Sequence, residues 1–282
     1  MINHEVKTKY TWGLDKLDKA LSKPDNQELI TIYAWWGTGK TEFTHFVARA
    51  NADKWNKVCY ISLEMPKHQL SLRYAVKRAG IKDYIDFQEK KYTRLQEDLI
   101  DKYYKEFIEY ENIALTWEDK PYTLQDLISE DKEQVGLMTY YYDMGYRIFI
   151  IDNLWKIATS KSEWEAQWEI TSQLQAWKNK YNCCVFLIHH TGKTKKWQES
   201  NMRGSQKIFD NSTKVIKLER DNDPEATPIE KARLEIHQEK NSVWGAYVET
   251  ECYFDRGIYV EEFVWNLYKN KKVEKVVEDE VF

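Results

Sequence analysis

The chain has 282 residues, with 42 Lys+Arg against 46 Asp+Glu and a formal net charge of -4. That length is one large domain or two small ones and is enough to bury a full core. The longest uninterrupted apolar run, Cys183 to Ile188, falls far short of the ~18 residues of a membrane span, and Met1–Glu5 shows no basic or apolar leader, so a cytoplasmic protein is expected. Cys59, Cys183, Cys184 and Cys252 form no C-x-x-C pair, and we read them as reduced core residues rather than zinc ligands or disulfides.

In chain order, short β-branched runs alternate with longer amphipathic stretches, the pattern of parallel strands connected by helices. The expected class is α/β, a mostly parallel twisted sheet with helices on both faces. Strands are expected at Leu29–Tyr33, Val58–Ser62, Ile113–Trp117, Arg147–Ile151, Cys183–His189, Lys214–Glu219 and Arg233–Gln238. Helices are expected at Thr41–Asp53, Lys67–Ala79, Leu124–Met144 and Glu163–Lys180. After Arg233 the chain reads as a closing antiparallel meander, with turns at Asn241–Gly245 and Asp255–Gly257 and strands Ala246–Tyr253 and Ile258–Glu262. No Pro/Gly/Ser linker or repeat interrupts residues 10–266, which therefore read as one domain after a short arm (1–9). Residues 82–111 read as a helical insertion and 267–282 as an acidic tail.

The chemistry begins after the first strand. Ala34-Trp35-Trp36-Gly37-Thr38-Gly39-Lys40-Thr41 is a phosphate-binding loop, G-x-x-x-x-G-K-[ST], with alanine for its first glycine. Small residues let backbone N–H groups wrap a phosphate while the following helix directs its positive end at the same anion. Lys40 neutralises the β- and γ-phosphates, and Thr41 is a Mg²⁺ ligand. Arg147–Asn153 is an apolar strand ending in Asp152, a carboxylate placed to hold the Mg²⁺ or its waters. Glu64, just past the second strand, is either the carboxylate that polarises the attacking water or a first-turn acid of the next helix. Between Thr191 and Lys207, five cations (Lys193, Lys195, Lys196, Arg203, Lys207) meet one acid, Glu199: a single-strand phosphate grip or a solvated charged loop.

Several segments together resemble one family. They are Thr11–Asp18, the phosphate loop, Ser62-Leu63-Glu64-Met65 with Gln69-Leu70 and Arg73, Ile151–Leu154, Leu187–Lys193, Met202-Arg203-Gly204-Ser205 and Ile216–Arg220. In this order and spacing they resemble the RecA-like motor domain of the DnaB superfamily of hexameric replicative helicases, most closely the branch of Twinkle and the primase-helicases of short-tailed phages. The resemblance implies a RecA-like P-loop NTPase core using ATP or dTTP with Mg²⁺. It makes Glu64 the general base and His190, in preference to adjacent His189, the γ-phosphate sensor. It makes Lys193, Lys195, Lys196 and Arg203 the DNA contacts of the channel loop. It puts Lys240 where a trans-acting arginine finger is usual, a substitution that keeps charge but loses the planar fork. Arg220 and Tyr253 match positions that sandwich the base, although both are also ordinary surface and sheet types.

The implied partners are single-stranded DNA and further copies of the chain in a homohexamer, with nucleotide, DNA or a partner expected to help close the ring because little precedes Tyr10. No primase module is seen, so a separate primase is expected. The tail ending Glu278-Asp279-Glu280-Val281-Phe282 reads either as a docking peptide for a DNA polymerase or as a solubilising end. The expected function is an NTP-dependent DNA helicase translocating 5′ to 3′. The alternatives are a RecA- or KaiC-like ATPase that remodels partners, or a nucleotide-gated DNA-binding scaffold.

Overall fold

The computed structural model describes residues 10–262 apart from 82–83, 118–119, 160–161, 191–205, 222, 224, 244 and 246. In chain order the elements are α1 (Asp15–Ala20), β1 (Leu29–Ala34), α2 (Lys40–Ala52), β2 (Val58–Ser62), α3 (Lys67–Arg78), α4 (Tyr84–Gln88), α5 (Arg94–Ile108), β3 (Ile113–Thr116), β4 (Tyr122–Thr123), α6 (Leu124–Ile128) and α7 (Leu137–Asp143). Then follow β5 (Ile148–Asp152), a 3₁₀ turn (Leu154–Lys156), β6 (Ile157–Ala158), α8 (Glu163–Tyr181), β7 (Cys184–His190), α9 (Gln206–Asn211), β8 (Lys214–Glu219), α10 (Pro228–Ala232), β9 (Arg233–Asn241), β10 (Val248–Asp255) and β11 (Ile258–Val260).

Nine strands form one sheet in the order β11-β10-β9-β8-β1-β7-β5-β2-β3, parallel from β3 to β8 and antiparallel from β8 to β11. This is the expected parallel sheet with its closing meander. Strand alternation divides the apolar residues between two cores. Ile30, Ile32, Tyr60, Ile150, Phe186 and Ile188 pack under α2 and α3 on one face. Leu29, Cys59, Ile61, Phe149, Val185 and Leu187 pack under α6, α7 and α8 on the other. Strands buried on both faces read as continuous apolar runs, which is why β5 and β7 were visible in the sequence. All four cysteines are buried free thiols.

One expected element is corrected: Leu124–Met144 is two helices. The polar run Ser129–Gln134 offers no apolar residue at helical spacing, and Glu130 bridges back to Val135. Gly136 N–H donates to Ser129 O at 2.8 Å, and a Cβ on Gly136 would stand 2.4 Å from the Ser129 nitrogen, so only glycine fits this reversal. Within the charged 82–111 stretch, α5 starts with a Thr93/Gln96 capping box and packs Ile100 against Ala75 and Val76 of α3.

The phosphate-loop helix is clamped to the sheet by Trp12. Its ring stacks on Phe43 of α2 (6.4 Å) and meets Phe186 of β7 edge-on (5.8 Å), with its Nε1–H donating to Ser22 O. The fully buried indole therefore sets where α2 begins relative to the strand ends. Trp12→Ala should lower unfolding stability by about 3–5 kcal/mol in urea titration, whereas a loss under about 1 kcal/mol would remove this clamp from the account.

Candidate nucleotide site

Parallel strands bring their carboxyl ends to one edge, and four chemically distinct groups meet there: the β1–α2 loop, Asp152 ending β5, Glu64 after β2 and His190 ending β7. They surround a cavity of about 100 Å³. A larger cavity of about 430 Å³, lined by Tyr10, Trp55, Tyr142 and Arg147 among others, contains none of these groups.

The loop turns through two left-handed glycines, Gly37 (φ 79°) and Gly39 (φ 100°). Ala34 is the last residue of β1, paired with both His190 and Leu218, so the missing glycine falls where ordinary strand conformation suffices. Lys40 Nζ donates to Ala34 O and Trp35 O, both at 2.9 Å, and Thr38 Oγ1 donates to Trp35 O. Burial pushes the Lys40 ammonium down to about 8, against the pull of Asp152, Glu64 and Glu42. A buried cation held by carbonyls alone is matched to an incoming polyanion.

Asp152 is buried and accepts from Thr41 Oγ1 at 2.8 Å and from Tyr60 OH at 2.9 Å. Burial raises its pKa, with the two hydroxyl bonds opposing. Hydroxyl plus carboxylate, both oxygen donors beside the phosphate loop, fit Mg²⁺. Glu64 Oε2 accepts from Asn153 Nδ2 at 2.6 Å and lies 3.4 Å from His190 Nε2. The hydrogen bond from His190 is the main cause holding Glu64 below the usual carboxylate range, with burial opposing and Asn153 and Lys156 assisting. Glu64 thus stays ionised and half-open to solvent, while Asp152 is sealed: two carboxylates with separated roles.

Of the two adjacent histidines, His189 is buried with its ring stacked on Trp155, and burial pushes it down to about 3. His190 is the one that reaches Glu64. Its ring also stacks on Trp36 of the phosphate loop, centroids 4.1 Å apart and planes 11° apart, and its carbonyl accepts from Trp155 Nε1. Trp36, Tyr60 and Asn153 were not singled out by sequence reasoning. Asn153 lay in a quoted motif, but Trp36 occupied an unspecified position of the loop and carried no signal.

Arg220 lies over the loop. Its Nη2 is 3.3 Å from Tyr259 OH, which itself reaches Gly39 O, and its guanidinium faces the Phe254 ring at 5.4 Å. Tyr253 is corrected: alternation along β10 turns Phe254 toward Arg220 and sends Tyr253 to the opposite face, where its hydroxyl donates to Glu251. Lys240 is also displaced from the expected free finger. Its Nζ donates to Phe209 O (2.7 Å) and Asp210 O (2.9 Å), capping α9 within its own subunit. Lys193, Lys195, Lys196 and Arg203 lie outside the described residues, as does the tail.

The loop, the buried aspartate and the solvent-facing glutamate on a parallel sheet define a P-loop NTPase domain. The family model of the DnaB-like helicase C-terminal domain matches residues 10–258, and the chain belongs to that family. Many solved structures are similar in fold. One, described as an ATPase domain, has a TM-score of 0.71 at 17% identity, over 90% of this chain and 91% of that one. A DnaB-like replicative helicase, described with its interactions with primase, has a TM-score of 0.72 at 18% identity over 90% of this chain and 63% of its own length. The fold is therefore that of the RecA-like helicase ATPase domains. No curated protein sequence matches the chain.

Glu42, the residue after Thr41, links the site to α3. Burial pushes its carboxyl up, but Lys77 and Arg73 more than offset this and hold it at about 2. A depressed carboxylate stabilises the fold above its unfolded pKa and loses that contribution as pH falls through its folded value. Glu42→Gln should therefore cost about 2–3 kcal/mol at pH 7. The deficit should shrink between about pH 5 and pH 2 in denaturant titrations; a deficit independent of pH would assign it to packing.

Proposed function

We propose that the protein is an NTP-driven DNA helicase motor whose subunits assemble as a homohexameric ring and translocate 5′ to 3′ on single-stranded DNA in a cytoplasm. The observation that carries this reading is the contact of Glu64 with His190, because His190 ends the strand that runs directly into the basic segment 191–205. Family membership supports a helicase ATPase in general terms; direction, ring and nucleotide choice between ATP and dTTP belong to the proposal.

Thr41 and Asp152 would hold Mg²⁺, which supplies charge neutralisation at the phosphates. Gly37, Thr38, Gly39 and Lys40 bind the β- and γ-phosphates, and Arg220 lies where a base can stack against it. Glu64, ionised and oriented by Asn153, accepts the proton of the attacking water. A phosphate entering beside Lys40 meets His190 and Trp36 together, so arrival or loss of the γ-phosphate shifts the end of β7. That shift passes to Lys193, Lys195, Lys196 and Arg203, which as point charges grip DNA phosphates without sequence preference. The motor unit is residues 10–266, and the acidic segment 267–282 serves polymerase contact.

The engaged state of Lys240 favours one second reading, a nucleotide-gated DNA-binding scaffold with slow turnover, since a finger must first leave its α9 carbonyls. Glu64→Gln should retain nucleotide binding and lose hydrolysis by at least about 100-fold; retained turnover would remove Glu64 as the base. Replacing Lys193, Lys195 and Lys196 together by Ala should weaken single-strand binding and reduce its salt slope by about 2. An unchanged slope would place the DNA site elsewhere.

A further inference from the structure

The meander carries a second polar constellation, away from the nucleotide cavity. On β8, β9 and β10 the apolar residues Ile216, Leu218, Leu234, Ile236 and Cys252 join one core, so alternation sends their neighbours to the opposite face. The register there sets Glu219 against Glu235 and His237 against Glu249. Lys217 Nζ holds Glu219 Oε1 at 2.9 Å, and Arg233 Nη2 holds Glu235 Oε1 at 2.5 Å. The second oxygen of each carboxylate points to His237: Nε2 lies 3.1 Å from Glu219 Oε2 and 3.9 Å from Glu235 Oε2.

Nε2 is sealed from solvent and makes no hydrogen bond of adequate geometry, although the whole side chain remains 15% exposed. Its other nitrogen, Nδ1, faces Glu249 Oε1 at 3.4 Å and Tyr247 OH at 3.5 Å. A proton placed on Nδ1 by Glu249 leaves the Nε2 lone pair directed at two carboxylate oxygens. Three electron-rich atoms then converge with nothing positive between them, and all three lie within 4.8 Å of one another. Such an arrangement calls for a cation at its centre.

We propose that Glu219, Glu235 and His237 form a binding site for a divalent first-row transition metal ion, with Zn²⁺ the best fit. Imidazole nitrogen and carboxylate oxygen are both zinc ligands, and three of them leave a fourth tetrahedral position for water or an external group. Lys217 and Arg233 orient the carboxylates and Glu249 orients the imidazole, the outer contacts by which protein metal sites are tuned. Mg²⁺ is a poor competitor because it prefers an all-oxygen octahedron. The ion would pin β8 to β9 three residues before Lys240, so it would stiffen the strand that carries that cation. Among the described residues, this is the only group of three or more His, Cys, Asp or Glu side chains with metal-ligand spacing.

The test is Co²⁺ absorption spectroscopy and Zn²⁺ calorimetry on chelator-stripped full-length protein, with excess Mg²⁺ and no nucleotide. One equivalent should bind, giving a Co²⁺ spectrum of nitrogen and oxygen ligands. H237Q should abolish binding with an unchanged far-UV circular dichroism spectrum, and E249Q should weaken it by about 10-fold. If H237Q does not fold, E235Q replaces it and should also abolish binding. Absence of binding would overturn the proposal. Undiminished binding in the folded ligand variant, or a thiolate band in the Co²⁺ spectrum, would overturn it equally.

Discussion

The site depends on one costly placement, an aspartate carboxylate buried at the end of β5. An isolated buried carboxylate is strongly disfavoured, and Asp152 is tolerated because Thr41 and Tyr60 each donate a hydroxyl to it. Those bonds tie β5 to the first turn of α2 and to β2. The phosphate loop is therefore held against the strand ends by the same contacts that bring the Thr41 hydroxyl and the Asp152 carboxylate together. Trp12 fixes the other side of α2, so the helix that aims the loop is braced both from the sheet and from the edge that carries the chemistry.

From that brace the remaining roles separate by environment. Glu64 is partly open to solvent and kept ionised by His190, whereas Asp152 is sealed and its charge resisted by burial. His190 touches the loop through Trp36 and Glu64 directly, so one side chain links the phosphate loop to the solvent-facing carboxylate. A stacked ring pair has two discrete states, in contact or parted, the kind of element that the proposed coupling of nucleotide to DNA requires.

Much of this was legible in the order of residues. The two-sided apolar runs of β1, β2, β5 and β7 and the loop motif announced both the sheet and its reactive edge, because burial on both faces and phosphate chemistry impose local patterns. What was not legible depended on partners far apart in sequence or on a one-residue register. Tyr253 and Phe254 are interchangeable as stacking types, and only the pleat of β10 decides which faces Arg220. Lys240 finds its carbonyls 30 and 31 residues away, at the end of a short helix with no strong periodicity. The break between α6 and α7 turned on how closely Gly136 approaches Ser129, a contact that apolar spacing does not report.

The central claim is that nucleotide turnover at the Lys40–Asp152–Glu64 site is coupled to single-stranded DNA. Steady-state ATP and dTTP hydrolysis with and without single-stranded DNA, alongside light scattering with a non-hydrolysable nucleotide, tests it most directly. The account predicts hydrolysis stimulated at least about 10-fold by DNA, in the range by which a bound ligand shifts a coupled site, together with a hexamer-sized species. Slow turnover indifferent to DNA, from a protein that remains monomeric, would contradict it.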